Sequence, residues 1–358
     1  MSAVLLRLPR LLLVLAAMTL AGCQSLAYYA QAVQGQGALL LRRQPIPRLL
    51  ANPATPPDLR ARLQAVQRIR RFAADELGLP ARRQYGSYVE LERPFPVWSV
   101  TAAPALSLSP RTWCYWFVGC MSYRGFFAEA AARRYARQLE RAGEDVWFSG
   151  VSAYSTLGWF RDPVLSSFIG LPEPELAELI FHELTHQVLY VPGDTVFNES
   201  LAVAVAAEGL RRYAAREGLD LRPWRQAQAR QREFVALVLD YRHRLAAVFA
   251  QAPDDAARRA GKAAVYADLR ADYTLLKASW GGYAGYDPWF QDLNNARLNA
   301  VATYYELVPA LNALLREEGG NMARFLSRCR DLSRLALAER HRRLGVLLAR
   351  EGEAPPAT

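Results

Sequence analysis

At the centre of the chain stands the stretch Phe181-His182-Glu183-Leu184-Thr185-His186-Gln187. Apolar residues recur through it at helical spacing, and two prolines and three glutamates precede it, a composition typical of a helix start. Because His182 and His186 are four residues apart, their imidazoles leave one face of the predicted helix and can reach a single metal ion. Glu183 follows the first histidine, where a carboxylate can accept a proton from water beside the metal.

The histidine content supports a metal site. The chain has four histidines, and the motif uses two of them. The alternative is a pair of ordinary histidines on a surface helix. The other two, His243 and His341, lie in arginine-rich helical stretches, and we assign them no role.

A second helix is predicted directly after the motif. The first helix is expected to end near Tyr190, Val191–Asp194 forms a short turn, and a new helical pattern begins at Thr195. So short a link implies two antiparallel neighbours. At about 1.5 Å per residue, His186 and Glu199 both lie roughly 6 Å from the turn. Glu199 can therefore supply a third ligand and leave a fourth position open for water. The alternative is an ordinary acid favoured by the helix dipole.

The rest of the chain divides into two halves. Short β-branched and aromatic runs between prolines, within Tyr85–Val118 and at Val146–Thr156, are typical of strands. Helices are predicted at Leu59–Leu77 and Phe126–Arg141, and almost throughout the chain after Glu173. We therefore expect an α+β fold, with a small sheet in the first half packed on a mainly helical second half.

The charge pattern argues against nucleic acid as a partner. The formal net charge is +10, but the arginines are scattered along helical segments. There is no Lys/Arg block interleaved with aromatic residues. Solvated helix faces explain this charge better than a nucleic-acid surface does.

The N-terminus has the pattern of an export signal. Arg7 and Arg10 precede an apolar run that leads into Leu20-Ala21-Gly22-Cys23. The 12 residues of Leu11–Gly22 are too few for a lasting transmembrane helix. The last four residues resemble a bacterial lipobox, whose cleavage would leave Cys23 first and lipid on its thiol. The alternatives are a buried N-terminal helix and a plain signal followed by an accidental cysteine.

The lipobox resemblance has consequences for location and for the other cysteines. It implies a lipid-anchored protein of the bacterial cell envelope that faces the periplasm, and Gln24 in place of Asp favours the outer membrane. In such an oxidising space Cys114 and Cys120, which enclose five residues, could form a disulfide across a tight turn. The alternative is two buried free thiols. Cys329 is left over on a helical pattern.

Two families share these motifs. The histidine pair followed by Asn198-Glu199-Ser200 resembles the gluzincin group of zinc peptidases, although the interval of 13 residues from His186 to Glu199 is shorter than in thermolysin-like enzymes. A closer resemblance is to the bacterial family called putative aminopeptidases. It runs through five blocks, which are Cys120–Phe127, Ala153–Phe160, Phe181–Gln187, Phe197–Ser200 and Asn294–Leu298.

The resemblance implies a zincin-like helical half and a defined set of roles. One Zn²⁺ would be held by His182, His186 and Glu199, Glu183 would act as general base, and the substrate would be a peptide. The candidates for a further donor to the reacting oxygen are Tyr154, Arg297, Tyr304 and Tyr305. Gly150–Tyr154 is expected to be either an edge strand that pairs with the substrate or an interior strand with small residues chosen for packing.

Together these observations predict three segments. Residues 1–22 are a lipoprotein signal peptide, residues 23–57 are a tether with a Pro-rich spacer, and residues 58–358 are a zinc peptidase domain. The expected activity is that of a peptidase, and the resemblance indicates an aminopeptidase. The alternatives are an endopeptidase or cell-wall peptide hydrolase, and an inactive binding lipoprotein, against which the intact Glu183 argues.

Overall fold

Helices dominate the structure, a computed structural model that describes residues 28–115 and 118–353. In the described part the helices are α1 (28–41), α2 (Ile46–Ala51), α3 (Pro57–Asp75), α4 (Glu129–Arg141), α5 (Ser166–Ile169), α6 (Glu173–Val188), α7 (Thr195–Glu217), α8 (Arg222–Gln251), α9 (Asp255–Ser279), α10 (Asp287–Gln291), α11 (Asn295–Tyr305), α12 (Val308–Glu317), α13 (Met322–Ser333) and α14 (Leu337–Glu353). The strands are β1 (Gln44–Pro45), β2 (Ser87–Val89), β3 (Val97–Pro104), β4 (Trp113–Tyr115), β5 (Gly119–Met121), β6 (Arg124–Phe126), β7 (Glu144–Val151) and β8 (Val164–Leu165).

Within the described residues the strands form three small sheets, all in the first half of the chain. The largest is antiparallel with strand order β6-β3-β7, and its longest pairing runs from Val97 opposite Val151 to Pro104 opposite Glu144. The other two have the orders β1-β2-β8 and β4-β5. This arrangement confirms the predicted α+β fold with a mainly helical second half.

The helix pair α6–α7 lies in the main hydrophobic core. Helix α6 begins after Pro172 with acids in its first turn. Helix α7 is capped by Asp194, whose side chain accepts a hydrogen bond from the Phe197 N–H at 3.0 Å. Gly209 on α7 lets the two helices approach closely, because a Cβ there would lie 2.9 Å from the Phe181 ring. The packing of Phe181 thus fixes the helix face that carries the next residue, His182.

One polar contact region joins the sheet half to the helical half. The side chain of Asn294, which caps α11, donates to the Val146 carbonyl of β7 at 2.9 Å. The next N–H, that of Asn295, donates to the Asp145 carboxylate at 2.7 Å. These bonds place α11 beside the sheet.

Element boundaries differ from the predicted ones by a few residues. Helix α3 occupies the predicted Leu59–Leu77 region, shifted by two residues, and α6 ends at Val188 rather than near Tyr190. The helix predicted from Phe126 begins at Glu129, because Arg124–Phe126 pairs with β3 instead. The late strand ends at Val151 rather than Thr156, where its pairing with β3 stops at Val97.

The segment predicted to be a tether and spacer contributes to the core. Leu39 and Ile46 are buried in the main core cluster, and Gln44–Pro45 pairs with β2. The predicted boundary at residue 58 stays a prediction. The signal peptide and Cys23 lie outside the described residues. Every helix that the structure describes is too short or too polar to cross a bilayer.

Candidate metal centre

Three side chains from α6 and α7 converge on one point. The Nε2 atoms of His182 and His186 lie 3.3 Å apart, and Glu199 Oε2 lies 3.2 Å from the first and 3.5 Å from the second. A tetrahedral zinc site with bonds of about 2.0–2.1 Å separates its ligand atoms by roughly 3.3 Å. The three distances match the edges of such a tetrahedron. These residues could therefore hold a metal ion without rearrangement.

The electrostatics of this cluster favour a cation. Burial would raise the pKa of Glu199, but His186 and His182 outweigh it and lower that pKa to about 2. Burial would lower the pKa of His186, but Glu199 and Glu183 together outweigh it and raise that pKa. A buried carboxylate that stays ionised draws positive charge to the point where the imidazoles meet.

Glu183 lies beside the cluster in a different environment. Only 7% of its surface is exposed. Burial raises its pKa, His182 and His186 oppose the rise, and the charges of Glu199 and Asp162 add to it. The side chain borders the same cleft as the two histidines. A carboxyl group with a raised pKa beside a metal position suits a general base that must also give its proton back.

Two tyrosines complete the walls of the site. Tyr304 of α11 stacks on His182 with ring centroids 6.3 Å apart, and its carbonyl accepts a hydrogen bond from Ser200 Oγ. The pKa of Tyr304 is raised mainly by the charge of Glu199 and also by burial. The pKa of Tyr123 is raised mainly by burial and also by the charge of Glu199. Both hydroxyls therefore remain protonated at neutral pH and can donate hydrogen bonds in the cleft.

Tyr123 was missed by the sequence reasoning. It lies in the short turn between β5 and β6, inside one of the blocks that carry the family resemblance. Its position at the site depends on the pairing of β6 with β3, a tertiary feature. The only sequence signal was its membership of that block.

The other predicted donors are engaged elsewhere. Arg297 donates to the Pro288 and Trp289 carbonyls, and it borders neither cavity at the metal centre. Tyr154 borders the cleft, but its hydroxyl donates to Gln36, and the Tyr305 hydroxyl accepts a hydrogen bond from Gln231. Tyr304 is thus the predicted candidate that lies against the candidate metal site, where it stacks on His182.

A cleft surrounds the metal position on two sides. One cavity of about 390 Å³ is bordered by Trp159, Phe160 and the three residues of the candidate metal site. A second, of about 590 Å³, is bordered by β7 and the first turns of α6. His182, Glu183 and Tyr304 border both, so the two cavities meet at the metal position.

Strand β7 borders the larger cavity from the edge of its sheet. Among the described strands it pairs only with β3, which leaves its other side toward the cavity. Packing requires a glycine at position 150, because a Cβ there would lie only 2.1 Å from the Phe95 ring. Ala153 is 7% exposed and packs in the main core. The strand thus combines features of both expectations: an edge position and small residues required by packing.

The β4–β5 hairpin packs on the turn between α6 and α7. In the structure a disulfide joins Cys114 and Cys120 across this hairpin. Gly119 has a φ of 75°, and a Cβ there would lie 2.9 Å from the Gly193 nitrogen in the turn. The Tyr190 hydroxyl donates to the Val118 carbonyl at 3.0 Å. The hairpin therefore supports the turn that sets the relative position of α6 and α7.

His341 has a structural partner, contrary to the absence of a role expected from the sequence. Its Nε2 lies 2.9 Å from Asp194 Oδ2, and Arg340 Nε donates to the same oxygen at 2.8 Å. Asp194 is the residue that caps α7. Helix α14 thus holds the start of the helix that carries Glu199. His243 is exposed on α8.

Comparison with known proteins gives one match. The model of a protein family described as "Putative aminopeptidase" matches residues 27–344, most of the chain. No curated protein and no solved structure matches.

Proposed function

The chain belongs to the family described as "Putative aminopeptidase", and from that premise we propose that it is a zinc-dependent aminopeptidase. The observation that carries the proposal is the triangle of His182 Nε2, His186 Nε2 and Glu199 Oε2, with sides of 3.2 to 3.5 Å. Glu183 beside it supplies the base that hydrolysis needs.

Zinc is the metal that this donor set suits best. Two imidazole nitrogens and one carboxylate oxygen, with a fourth position open to a cleft, are the usual ligands of catalytic zinc. Calcium and magnesium prefer sites built from oxygen. When bound, zinc would polarise the peptide carbonyl and lower the pKa of water at its open position towards about 7.

The residues around the metal divide the work of hydrolysis. Glu183 accepts the proton of the attacking water and later returns it to the leaving amine. Tyr304 and Tyr123 donate hydrogen bonds to the carbonyl oxygen as it gains negative charge. Phe181, packed under the helix pair at Gly209, keeps the first histidine in place.

The site of action is proposed from the sequence. We place the protein at the bacterial cell envelope, anchored by lipid on Cys23 and facing the periplasm, with the outer membrane favoured. Its partners there would be the membrane, through the anchor, and a peptide substrate. A single acyl chain binds a membrane only marginally, so stable anchoring requires more than one.

Zinc content and turnover, measured together, test the proposal. We expect one zinc per wild-type chain by mass spectrometry, and loss of zinc in His182→Ala. Glu183→Gln should keep its zinc and lose roughly 100- to 10,000-fold in kcat on a panel of free, acetylated and cell-wall peptides. His243→Ala, at an exposed histidine, is the matched control and should change neither quantity.

Two results would contradict this function. Near-normal turnover in Glu183→Gln would remove the assigned base. A wild-type protein that binds zinc but cleaves nothing in the panel would favour a binding lipoprotein. Because the cleft continues on both sides of the metal position, equal cleavage of free and acetylated peptides would favour an endopeptidase or cell-wall peptide hydrolase.

A further inference from the structure

One acidic residue of the larger cavity has no function in the mechanism above. Glu178 lies on α6 four residues before His182, so both side chains leave the same face of the helix. It borders the cavity of about 590 Å³ together with His182 and Glu183. A substrate held in this cavity would therefore meet Glu178 and the metal position at once.

The partners of Glu178 leave its charge without a counterion. Its carboxylate accepts hydrogen bonds from Trp224 Nε1 at 2.8 Å and Gln228 Nε2 at 3.5 Å, both uncharged donors. Within the described residues no Lys or Arg nitrogen lies within 4.0 Å of it. Glu173, five residues earlier on the same helix, has Arg68 at 2.8 Å. Neutral donors fix the position of Glu178 and leave its charge available to a cation from the cavity.

Burial makes a cation at this position more favourable. It raises the pKa of Glu178, and the hydrogen bond from Trp224 and the charge of His182 oppose the rise. A positive ligand beside the carboxylate would stabilise its ionised form.

The spacing of Glu178 from the metal position fits an amino acid at the end of a peptide. Four residues of helix advance about 6 Å. In a peptide, the α-nitrogen lies about 2.5 Å from the carbonyl carbon of its own residue, and an ammonium–carboxylate hydrogen bond adds about 2.8 Å. A first carbonyl at the metal would thus bring the free α-amine within reach of a carboxylate one helical turn away.

We infer that Glu178 binds the ammonium group of the substrate and so forms a subsite for a primary amine. The inference rests on the proposed peptidase function and assigns the residue that would make the enzyme an aminopeptidase. The ammonium could belong to the α-amine or to a lysine side chain of the substrate, and the spacing favours the α-amine.

Three peptides distinguish the two sources of the amine. They are Ala-Ala-Ala, N-acetyl-Ala-Ala-Ala and N-acetyl-Lys-Ala-Ala. We expect the wild-type enzyme to prefer the first, and Glu178→Gln to raise its KM by roughly 10- to 100-fold, the usual effect of losing a hydrogen bond to a charged group. The same substitution should leave the small residual cleavage of both acetylated peptides unchanged. Selective loss of N-acetyl-Lys-Ala-Ala cleavage would assign the subsite to the side chain and overturn the α-amine assignment.

Direct binding provides a readout that does not depend on turnover. In the Glu183→Gln background, calorimetry should show that Ala-Ala-Ala binds more weakly after Glu178→Gln, by the same factor as the change in KM. Zinc content and the thermal midpoint should stay at the level of Glu183→Gln alone. The neighbouring Glu175→Gln removes the same charge from an exposed position at the edge of the same cavity, and it should change the Kd by no more than about 2-fold.

The outcomes separate this inference from the proposed function. An equal effect of Glu175→Gln and Glu178→Gln would show a general effect of charge and overturn the subsite. Unchanged KM and Kd in Glu178→Gln would also overturn it, while zinc binding and hydrolysis by the wild type would leave the peptidase in place. If the wild type hydrolyses none of the peptides but Ala-Ala-Ala binding depends on Glu178, the peptidase proposal fails and the amine subsite stands.

Discussion

Two glutamates on neighbouring helices have the same chemistry but opposite environments. Both Glu183 and Glu199 are buried, at 7% and 6% exposure. The imidazoles hold the pKa of Glu199 at about 2, whereas burial raises the pKa of Glu183. The difference between the two pKa values suits different tasks. A carboxylate with a low pKa stays ionised as a ligand, whereas a carboxyl group with a raised pKa can accept and release a proton. The sequence predicted both positions from helical spacing, but the difference in environment depends on how α6 and α7 pack.

The third ligand is tested by Glu199→Ala. Removing one of three protein ligands should weaken zinc binding by more than about 100-fold, the upper range for residues that only support a ligand. Zinc affinity is measured by competition with a chelator of known strength. Glu208→Ala is the matched control on the same helix, because Glu208 pairs with Arg211 and Arg212 away from the metal position. Unchanged affinity in Glu199→Ala would assign the third position to another acid.

The contacts between elements explain which predictions succeeded. Helices α6 and α7 could be predicted because periodicity, a helix start and a four-residue turn are local features. The β4–β5 hairpin and helix α14, which both support that turn, could not. Arg340 is 146 residues from Asp194 in sequence, and no local pattern reports such a contact. The same limit applies to the candidate donors to the reacting oxygen. Tyr304 and Arg297 lie on one helix, but of these two only Tyr304 borders the cleft.

The cap of α7 makes stability depend on pH. Burial raises the pKa of Asp194, but hydrogen bonds from His341, the Phe197 N–H and Arg340 outweigh it, so the folded pKa lies below the ordinary value. An acid with a lowered folded pKa stabilises the fold above its unfolded pKa of about 3.9 and loses this contribution as pH falls further. Asp194→Ala should therefore reduce the free energy of unfolding at pH 7 by about 3 kcal/mol.

Denaturant unfolding of both proteins between pH 7 and pH 3 measures this effect. The difference between wild type and Asp194→Ala should shrink as pH falls below 4. Asp240→Ala is the control, because Asp240 is exposed on α8 and its pair with Arg244 joins residues one turn apart on the same helix. A difference that does not change with pH would show that Asp194 acts only through packing.

The site lies where the sheet half and the helical half of the chain meet. The three residues of the candidate metal site come from the helical half, Tyr123 and the cleft edge β7 come from the sheet half, and Tyr304 comes from the helix that joins them. The sequence predicted the two halves and the three residues of the candidate metal site. It named Gly150–Tyr154 as the strand beside the metal helix but left open whether that strand lies at an edge or in the interior, because this depends on how α11 docks on β7. The family match begins at residue 27, inside the predicted tether, and Ile46 is fully buried in the main core.

The short distance in sequence between Cys23 and the folded part of the chain makes the anchor testable. Only four residues separate Cys23 from Tyr28, whose ring lies 4.1 Å from the Arg124 guanidinium in the first half of the chain. Five extended residues span at most roughly 18 Å, so a lipid on Cys23 would keep the folded protein close to the membrane surface.

Cys23→Ala should remove the lipid and block signal cleavage, because the thiol is the acceptor of the lipid that precedes processing at a lipobox. We expect an unprocessed precursor by mass spectrometry, with no labelling from a fatty-acid probe. Ser25→Ala, two residues later, is the control and should be processed and labelled like the wild type. Both variants should keep zinc binding once purified in detergent, because the metal ligands lie far along the chain in α6 and α7. Normal processing and membrane fractionation of Cys23→Ala would contradict the anchor and leave the metal centre unaffected.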